Sequence, residues 1–150
     1  QVVDSGLTAY QIGLQSAMFG IGDLNSVFKG IFIEHLVGQE LKAFQFHEFS
    51  PVNFWVRDKK TSGAEVDFVI NYKGMVVPIE VKSGAAGKLR SLHQFMLKAP
   101  HKMAVRLYAG EIRIDEVSLP NRSTYQLLSL PYFLASKVNE YLDWAFQQVD

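Results

Sequence analysis

Residues 63–83 read GAEVDFVINYKGMVVPIEVKS, and this stretch decides the fold. Apolar and polar residues alternate on both sides of Lys73-Gly74, which suits a two-residue hairpin turn because glycine readily adopts a positive φ. The alternation therefore predicts two antiparallel strands, over 64–72 and 75–83. Closing the turn with Tyr72 and Met75 pairs Val69 with Pro78, Asp67 with Glu80, and Glu65 with Lys82.

The predicted hairpin has one charged face and one apolar face, because directly opposed residues share a face. The charged face carries Glu65, Asp67, Glu80 and Lys82. The core face carries Val66, Phe68, Ile70, Val77, Ile79 and Val81. Pro78 cannot donate a ladder hydrogen bond, which predicts a bulge or an unpaired edge at that point.

The charged face has the residue types of a metal-dependent phosphodiesterase. Asp67 and Glu80 would repel each other unless a cation lay between them, and carboxylate oxygens suit Mg²⁺ or Mn²⁺. Lys82 beside them can stabilise charge that develops on a phosphate and orient an attacking water. The alternative is that these side chains form only the solvated face of a strand.

A fourth acidic residue stands out in the helix predicted over residues 25–46. Val27, Ile31, Val37, Gly38 and Leu41 form an apolar stripe at 100° per residue, and Glu34 lies in the middle of it. A buried carboxylate needs a partner, so we expect Glu34 to be a ligand or a member of an ion pair, for example with Lys82.

The remaining pattern completes an α/β domain over residues 1–150. After a strand at 52–57 and the hairpin, we expect a helix at 88–97, strands at 103–108 and 111–119, and a last helix from Pro131 to about Gln147. The core order is helix, three strands, helix, strand, around a mixed central sheet flanked by helices. The apolar last helix covers the core or contacts a second copy of the chain.

Composition excludes several classes of protein. With 48% hydrophobic residues, 20% charged residues and a net charge of zero, the chain is neither disordered nor attracted to nucleic acid as a whole. It has no cysteine, no apolar run long enough for a membrane span and no GxxxxGK[ST] motif, so we expect a cytoplasmic protein with no ATP site in this part of the chain. The four histidines lack zinc-site spacing. We expect the chain to be part of a longer protein, because it begins without Met in what reads as a strand.

Glu34, Asp67 and Glu80-Val81-Lys82, in helix–strand–strand order, resemble the PD-(D/E)XK nuclease superfamily. The resemblance implies the restriction-endonuclease-like fold. It also implies that Asp67 and Glu80 bind a divalent metal, that Lys82 assists hydrolysis, and that Glu34 supports the metal or a water.

Four motifs together resemble a narrower family, a domain of unknown function found C-terminal to the AAA-type ATPase module of many prokaryotic proteins. The motifs are DSGL at 4–7, FIEHLV at 32–37, EVDFV at 65–69 and IEVKSG at 79–84. This resemblance implies an upstream ATPase module in the same polypeptide.

We therefore expect a Mg²⁺- or Mn²⁺-dependent nuclease-like domain that acts on DNA phosphodiesters. Lys88 and Arg90, at the start of the helix after the site, form with Lys82 a candidate phosphate-binding patch, and Gln94 is a secondary candidate. These three are otherwise solvated helix residues. The alternative function is a catalytically inactive module of the ATPase that binds nucleic acid or protein.

Overall fold

The computed structural model describes residues 4, 7, 10, 27–44, 53–56, 65–82 and 89–149. The elements in chain order are α1 (Val27–Phe44), β1 (Asn53–Val56), β2 (Glu65–Tyr72), β3 (Met75–Lys82), α2 (Arg90–Met96), β4 (Met103–Tyr108), β5 (Arg113–Ser118), β6 (Thr124–Pro131), a 3-10 helix (Tyr132–Lys137) and α3 (Val138–Val149).

The six strands form one mixed sheet in the order β1-β2-β3-β4-β6-β5. The central pairs β3–β4 and β4–β6 are parallel, and the three outer pairs are antiparallel. The parallel β3–β4 pair requires a crossover connection, which contains α2. The sheet therefore joins the predicted hairpin directly to the strand that follows α2.

Helices cover both faces of the sheet. On one face, here the α1 face, α1 and α3 pack on the larger apolar cluster, to which they contribute Val37, Leu41, Val138, Leu142 and Ala145. On the other, the α2 face, α2 packs through Leu92, Phe95 and Met96 on a smaller cluster. The α3 helix thus covers the core, which was one of the two roles predicted for the last helix.

The hairpin prediction is confirmed along most of its length. Val69 pairs with Pro78 and Tyr72 with Met75, and the turn residues Lys73 and Gly74 have φ values of 48° and 81°. Both positive φ values are those of a tight two-residue turn whose twist matches the flanking strands.

Of the two possibilities predicted at Pro78, the bulge is wrong, because the β2–β3 register runs unbroken from Phe68–Ile79 to Tyr72–Met75, and the unpaired edge is confirmed on the side of β3 that faces β4. Hydrogen-bonded and non-hydrogen-bonded pairs alternate along an antiparallel ladder, and Tyr72–Met75 closes the turn as a hydrogen-bonded pair. The Pro78 nitrogen therefore points away from β2, towards β4. Pairing with β4 begins only at Ile79, so the missing donor costs no ladder bond.

The sequence prediction missed β6, which lies between β4 and β5. Its residues, TYQLLSLP, are buried at five of eight positions and show no alternation, as expected for a strand covered on both faces. The predicted start of the last helix at Pro131 is also wrong, because the chain first forms the 3-10 helix.

No helix in the described ranges is long and apolar enough to cross a membrane. Among the predicted site residues, Lys88 lies outside the described residues.

Candidate metal and phosphate site

A β-bulge in β2 shapes the candidate site. Asn53 pairs with Val69 and Trp55 with Val66, so that Phe54 of β1 faces two residues of β2, Asp67 and Phe68. An extra residue interrupts the alternation of side chains along the bulged strand. Val66 accordingly packs in the α2-face cluster, whereas Phe68 and Ile70 pack in the α1-face cluster.

The bulge corrects the predicted charged face. Glu65 alternates with Val66 and so projects towards α1, whereas Glu80 and Lys82 alternate with Val81, which packs on the α1 face, and so project to the α2 face. Asp67 lies within the bulge itself: it lines the cleft beside α1, and its charge also acts on Glu80. The prediction that all four charged residues share one face is therefore wrong. The hydrophobic periodicity of the strand gives no sign of a single inserted residue.

Asp67 lies where the two strands of the hairpin separate. The paired register of β2 and β3 ends at Phe68–Ile79, and the Val81 amide donates a hydrogen bond of 2.7 Å to Asp67 Oδ2. The carboxylate thus replaces the backbone acceptor that a continued ladder would supply. This bond anchors the first predicted metal ligand to the strand that carries the second.

Glu80 and Lys82 form an ion pair on β3. Lys82 Nζ lies 2.5 Å from Glu80 Oε1, and the two side chains are 26% and 5% exposed, respectively. Lys82 therefore pairs with Glu80. The partner expected from the sequence was Glu65 or Glu34. Glu80 Oε2 is buried with no hydrogen-bond partner within the described part of the chain. A buried carboxylate oxygen without a donor is costly, so a cation or a hydrogen-bond donor at this position would be stabilising.

The electrostatics of the carboxylates agree with this geometry. Desolvation, followed by the charge of Asp67, raises the pKa of Glu80 to about 7. Desolvation also raises the pKa of Asp67 above its usual range, although the Val81 amide and Lys82 act in the opposite direction. Near pH 7 the Glu80 carboxyl is thus partly protonated, and a further cation beside it would favour its charged form.

Glu34 borders the site from α1, but it is exposed and not buried in an apolar stripe as predicted. Val37 and Leu41 are buried against the sheet, while Ile31 is exposed, because the preceding turns of α1 border a cleft instead of the sheet. Desolvation, followed by repulsion from Asp67 and Glu65, raises the pKa of Glu34. The structure therefore brings Glu34 into electrostatic contact with the hairpin acids.

The cleft between α1 and the bulged strand has a volume of about 330 Å³. Its lining combines three acids with apolar and aromatic side chains: Ile31, Glu34, His35, Phe54, Glu65, Asp67 and Phe68. Through this cleft Asp67 is open to the α1 side of the sheet.

Residues 29–132 match the model of one protein family, the domain of unknown function DUF4143. The match covers more than half of the chain and includes the cleft, the hairpin and the parallel strands. The chain belongs to this family. No curated protein matches it.

The predicted nucleic-acid contacts do not all gather around the cleft of this DUF4143 domain. Arg90 is exposed at the first residue of α2, and Gln94 lies one turn further along the same helix, half-buried. Both belong to the α2 side of the sheet, the side to which Glu80 and Lys82 project. They remain candidates for that side alone.

Two residues of the site were missed from sequence. Phe54 lines the cleft, and Tyr132 donates a hydrogen bond of 2.6 Å from its hydroxyl to the Lys82 carbonyl oxygen. Tyr132 follows directly on β6, the missed strand, so its position beside β3 could not be predicted. The four-residue strand NFWV has no alternation from which the exposure of Phe54 could be inferred.

The donor set fits a divalent cation held by few protein ligands. No group of three or more histidine, aspartate or glutamate side chains is arranged as a ready ligand set in the described ranges. Mg²⁺, however, is commonly held by one or two carboxylates, with waters and substrate phosphates as its other ligands. Asp67 and Glu80, with the unpartnered Glu80 Oε2, match that requirement.

Proposed function

We propose that this domain is a metal-dependent phosphodiesterase of the PD-(D/E)XK type that hydrolyses DNA. The observation that carries the proposal is the junction at the open end of the hairpin. There burial, followed by the charge of Asp67, raises the pKa of Glu80, and Lys82 Nζ lies 2.5 Å from Glu80 Oε1. Two desolvated carboxylates beside a lysine are the groups that phosphodiester hydrolysis with a bound cation requires.

Each residue then has a role. Asp67 and Glu80 would hold Mg²⁺ or Mn²⁺, which when bound polarises a phosphate oxygen and lowers the pKa of a water. Lys82 would stabilise the negative charge that builds up on the phosphate. Glu34, at the border of the cleft, would accept a hydrogen bond from a water on the α1 side.

The topology supports the same proposal. The order α1, β1, β2, β3, α2, β4, with β3 and β4 parallel, is the order expected of a restriction-endonuclease-like core. Fold alone does not establish an activity, so the proposed activity depends on the residues of the site. The partners we propose are DNA and, in the same polypeptide, an upstream AAA-type ATPase module.

A cleavage assay tests this function. Purified protein is incubated with labelled single- and double-stranded DNA in Mg²⁺ or Mn²⁺, beside the Asp67→Asn and Lys82→Ala variants. We expect each variant to lose activity by about 100-fold or more. Lys73→Ala is the matched control, because Lys73 is an exposed lysine at the other end of the same hairpin. Cleavage that survives in Asp67→Asn and Lys82→Ala would belong to a contaminant and would refute the assignment.

The second candidate is an inactive module of the ATPase that binds nucleic acid or protein. Two observations favour it: the net charge is zero, and the described residues contain no ready three-ligand metal cluster. A calorimetric titration with Mn²⁺ separates the two. Heat of binding in the wild type that disappears in Glu80→Gln supports the phosphodiesterase, and no binding by the wild type supports the inactive module.

A further inference from the structure

Two exposed apolar side chains flank the acids of the cleft. Phe54 is 65% exposed and Ile31 is 56% exposed, and both line the cleft with Glu34 and Asp67. Large apolar residues that cluster at the mouth of a cleft, beside polar groups, are typical of a ligand-binding surface.

The position of Phe54 follows from the bulge. Trp55, its neighbour on β1, packs edge-on against Phe95 of α2, with ring centroids 5.4 Å apart. Alternation then turns Phe54 to the α1 face, the face on which Asp67 and Phe68 lie across the bulge. The aromatic ring is thus fixed beside the predicted metal ligand by the same irregularity that positions Asp67.

The size of the cleft limits what can enter it. A volume of about 330 Å³ lies at the lower end of the range for small-ligand pockets. A cleft of this volume can hold a single nucleotide, whereas a duplex would have to lie across the opening. In a duplex the faces of the bases are covered by their neighbours and cannot contact Phe54, and extruding one requires unstacking and unpairing it.

We propose that the substrate is single-stranded DNA, or an unpaired DNA end, and that one base stacks on Phe54 with Ile31 at its edge. The inference rests on the proposed phosphodiesterase function, because the phosphate next to that base would reach Asp67 in the cleft, where the charge of Lys82 acts on Asp67 and Glu34. An aromatic ring accepts any base, since every base has a π-face, so the stacking favours unpaired strands without selecting a sequence.

Binding is measured without turnover, by fluorescence anisotropy of fluorescein-labelled dT₁₂ and of a 12-base-pair duplex, in Ca²⁺ in place of Mg²⁺. We expect the single strand to bind at least tenfold more tightly than the duplex. Phe54→Ala should weaken binding of dT₁₂ by about tenfold or more, from the usual contribution of one stacked base. Phe54→Leu, which keeps the apolar bulk but not the ring, should weaken it similarly, and Phe54→Trp should restore it.

Phe133→Ala is the matched control, because Phe133 is 80% exposed in the 3-10 helix and does not line the cleft. It should leave the binding of dT₁₂ unchanged. Equal binding of dT₁₂ by the wild type and both Phe54→Ala and Phe54→Leu overturns the inference. Binding of neither DNA probe also overturns it and would leave the exposed residues to a protein partner.

The outcomes separate this inference from the function on which it rests. Phe54-dependent binding of dT₁₂ with no cleavage in Mg²⁺ or Mn²⁺ would refute the phosphodiesterase and retain the stacking surface. Cleavage of duplex DNA that is unaffected by Phe54→Ala would retain the phosphodiesterase and refute the single-stranded substrate.

Discussion

The two ends of the β2–β3 hairpin are built from the same two strands, yet one end is regular and the other is irregular. At the turn, the ladder is complete, the Asn71 side chain accepts the Gly74 amide at 3.1 Å, and the Tyr72 hydroxyl donates to Asp143 at 2.6 Å. At the open end, a bulge interrupts β2 and Asp67 replaces a backbone acceptor. Local rules are kept where the hairpin needs stability and broken where side chains converge, which is the pattern expected of a functional site.

The largest expected effect is a dependence of stability on pH that originates at the open end. Burial raises the pKa of Glu80 from 4.5 to about 7. Between these two pH values the unfolded chain has released this proton and the folded chain still holds it. The free energy of unfolding therefore falls as the pH rises from 4.5 to 7, by on the order of 3 kcal/mol, and the loss is complete above that range. Urea denaturation at pH 5 and pH 8 measures it.

Glu80→Gln is the control for this effect. The substitution removes the titrating carboxyl, so the variant should be more stable than the wild type at pH 8 and should lose most of the slope. Mn²⁺ should stabilise the wild type at pH 8 and leave the variant unchanged, because only a ligand with affinity for the folded site stabilises it. A slope that persists in Glu80→Gln would show that it originates in other groups.

The next effect separates the structural role of Asp67 from its charge. Asp67→Ala leaves the Val81 amide without an acceptor in a nearly buried position, whereas Asp67→Asn keeps a side-chain oxygen there. Both variants remove the charge, so their difference isolates the hydrogen bond. We expect Asp67→Ala to be less stable than Asp67→Asn by about 1–3 kcal/mol in urea denaturation. Equal stabilities would mean that the strands close to restore a backbone ladder.

Two tyrosines offer a matched comparison of the hairpin ends. Tyr132 and Tyr72 each donate a hydrogen bond of 2.6 Å, the first to the Lys82 carbonyl and the second to Asp143 near the turn. Tyr132→Phe frees the end of β3, and a small displacement of a reacting group is costly, so we expect kcat on DNA to fall roughly tenfold with little change in KM. Tyr72→Phe should leave kcat unchanged. Similar losses of kcat in both variants would show a general effect on the sheet.

The contrast between the two ends also explains what could be predicted from sequence. The turn and the register near it follow from alternation and from Lys73-Gly74, which are local properties. The members of the candidate site were found because their residue types and spacing are distinctive. Their arrangement in space could not be predicted, because the bulge at Asp67 depends on how β1 pairs with β2.

Long-range packing accounts for the other errors. The apolar stripe of α1 indicates which side of the helix is buried, but not where the supporting sheet ends, so the exposure of Glu34 was missed. Likewise β6 lies inside the sheet, between β4 and β5, and is mostly apolar on both sides, which leaves no period in its sequence. Tyr132 acquires its contact with Lys82 only through that strand.

The smallest effect tests whether the two ends are independent. Gly74 has a φ of +81°, and an added Cβ would meet no atom within 4 Å, so Gly74→Ala costs only backbone conformational energy. We expect a loss of about 1 kcal/mol in the free energy of unfolding. Calorimetric Mn²⁺ affinity and the binding of dT₁₂ should both equal those of the wild type, because the altered turn lies at the far end of the hairpin from Asp67. A reduced Mn²⁺ affinity in Gly74→Ala would show that strain at the turn reaches the carboxylates along β2 and β3, and the hairpin would then act as one unit instead of two independent ends.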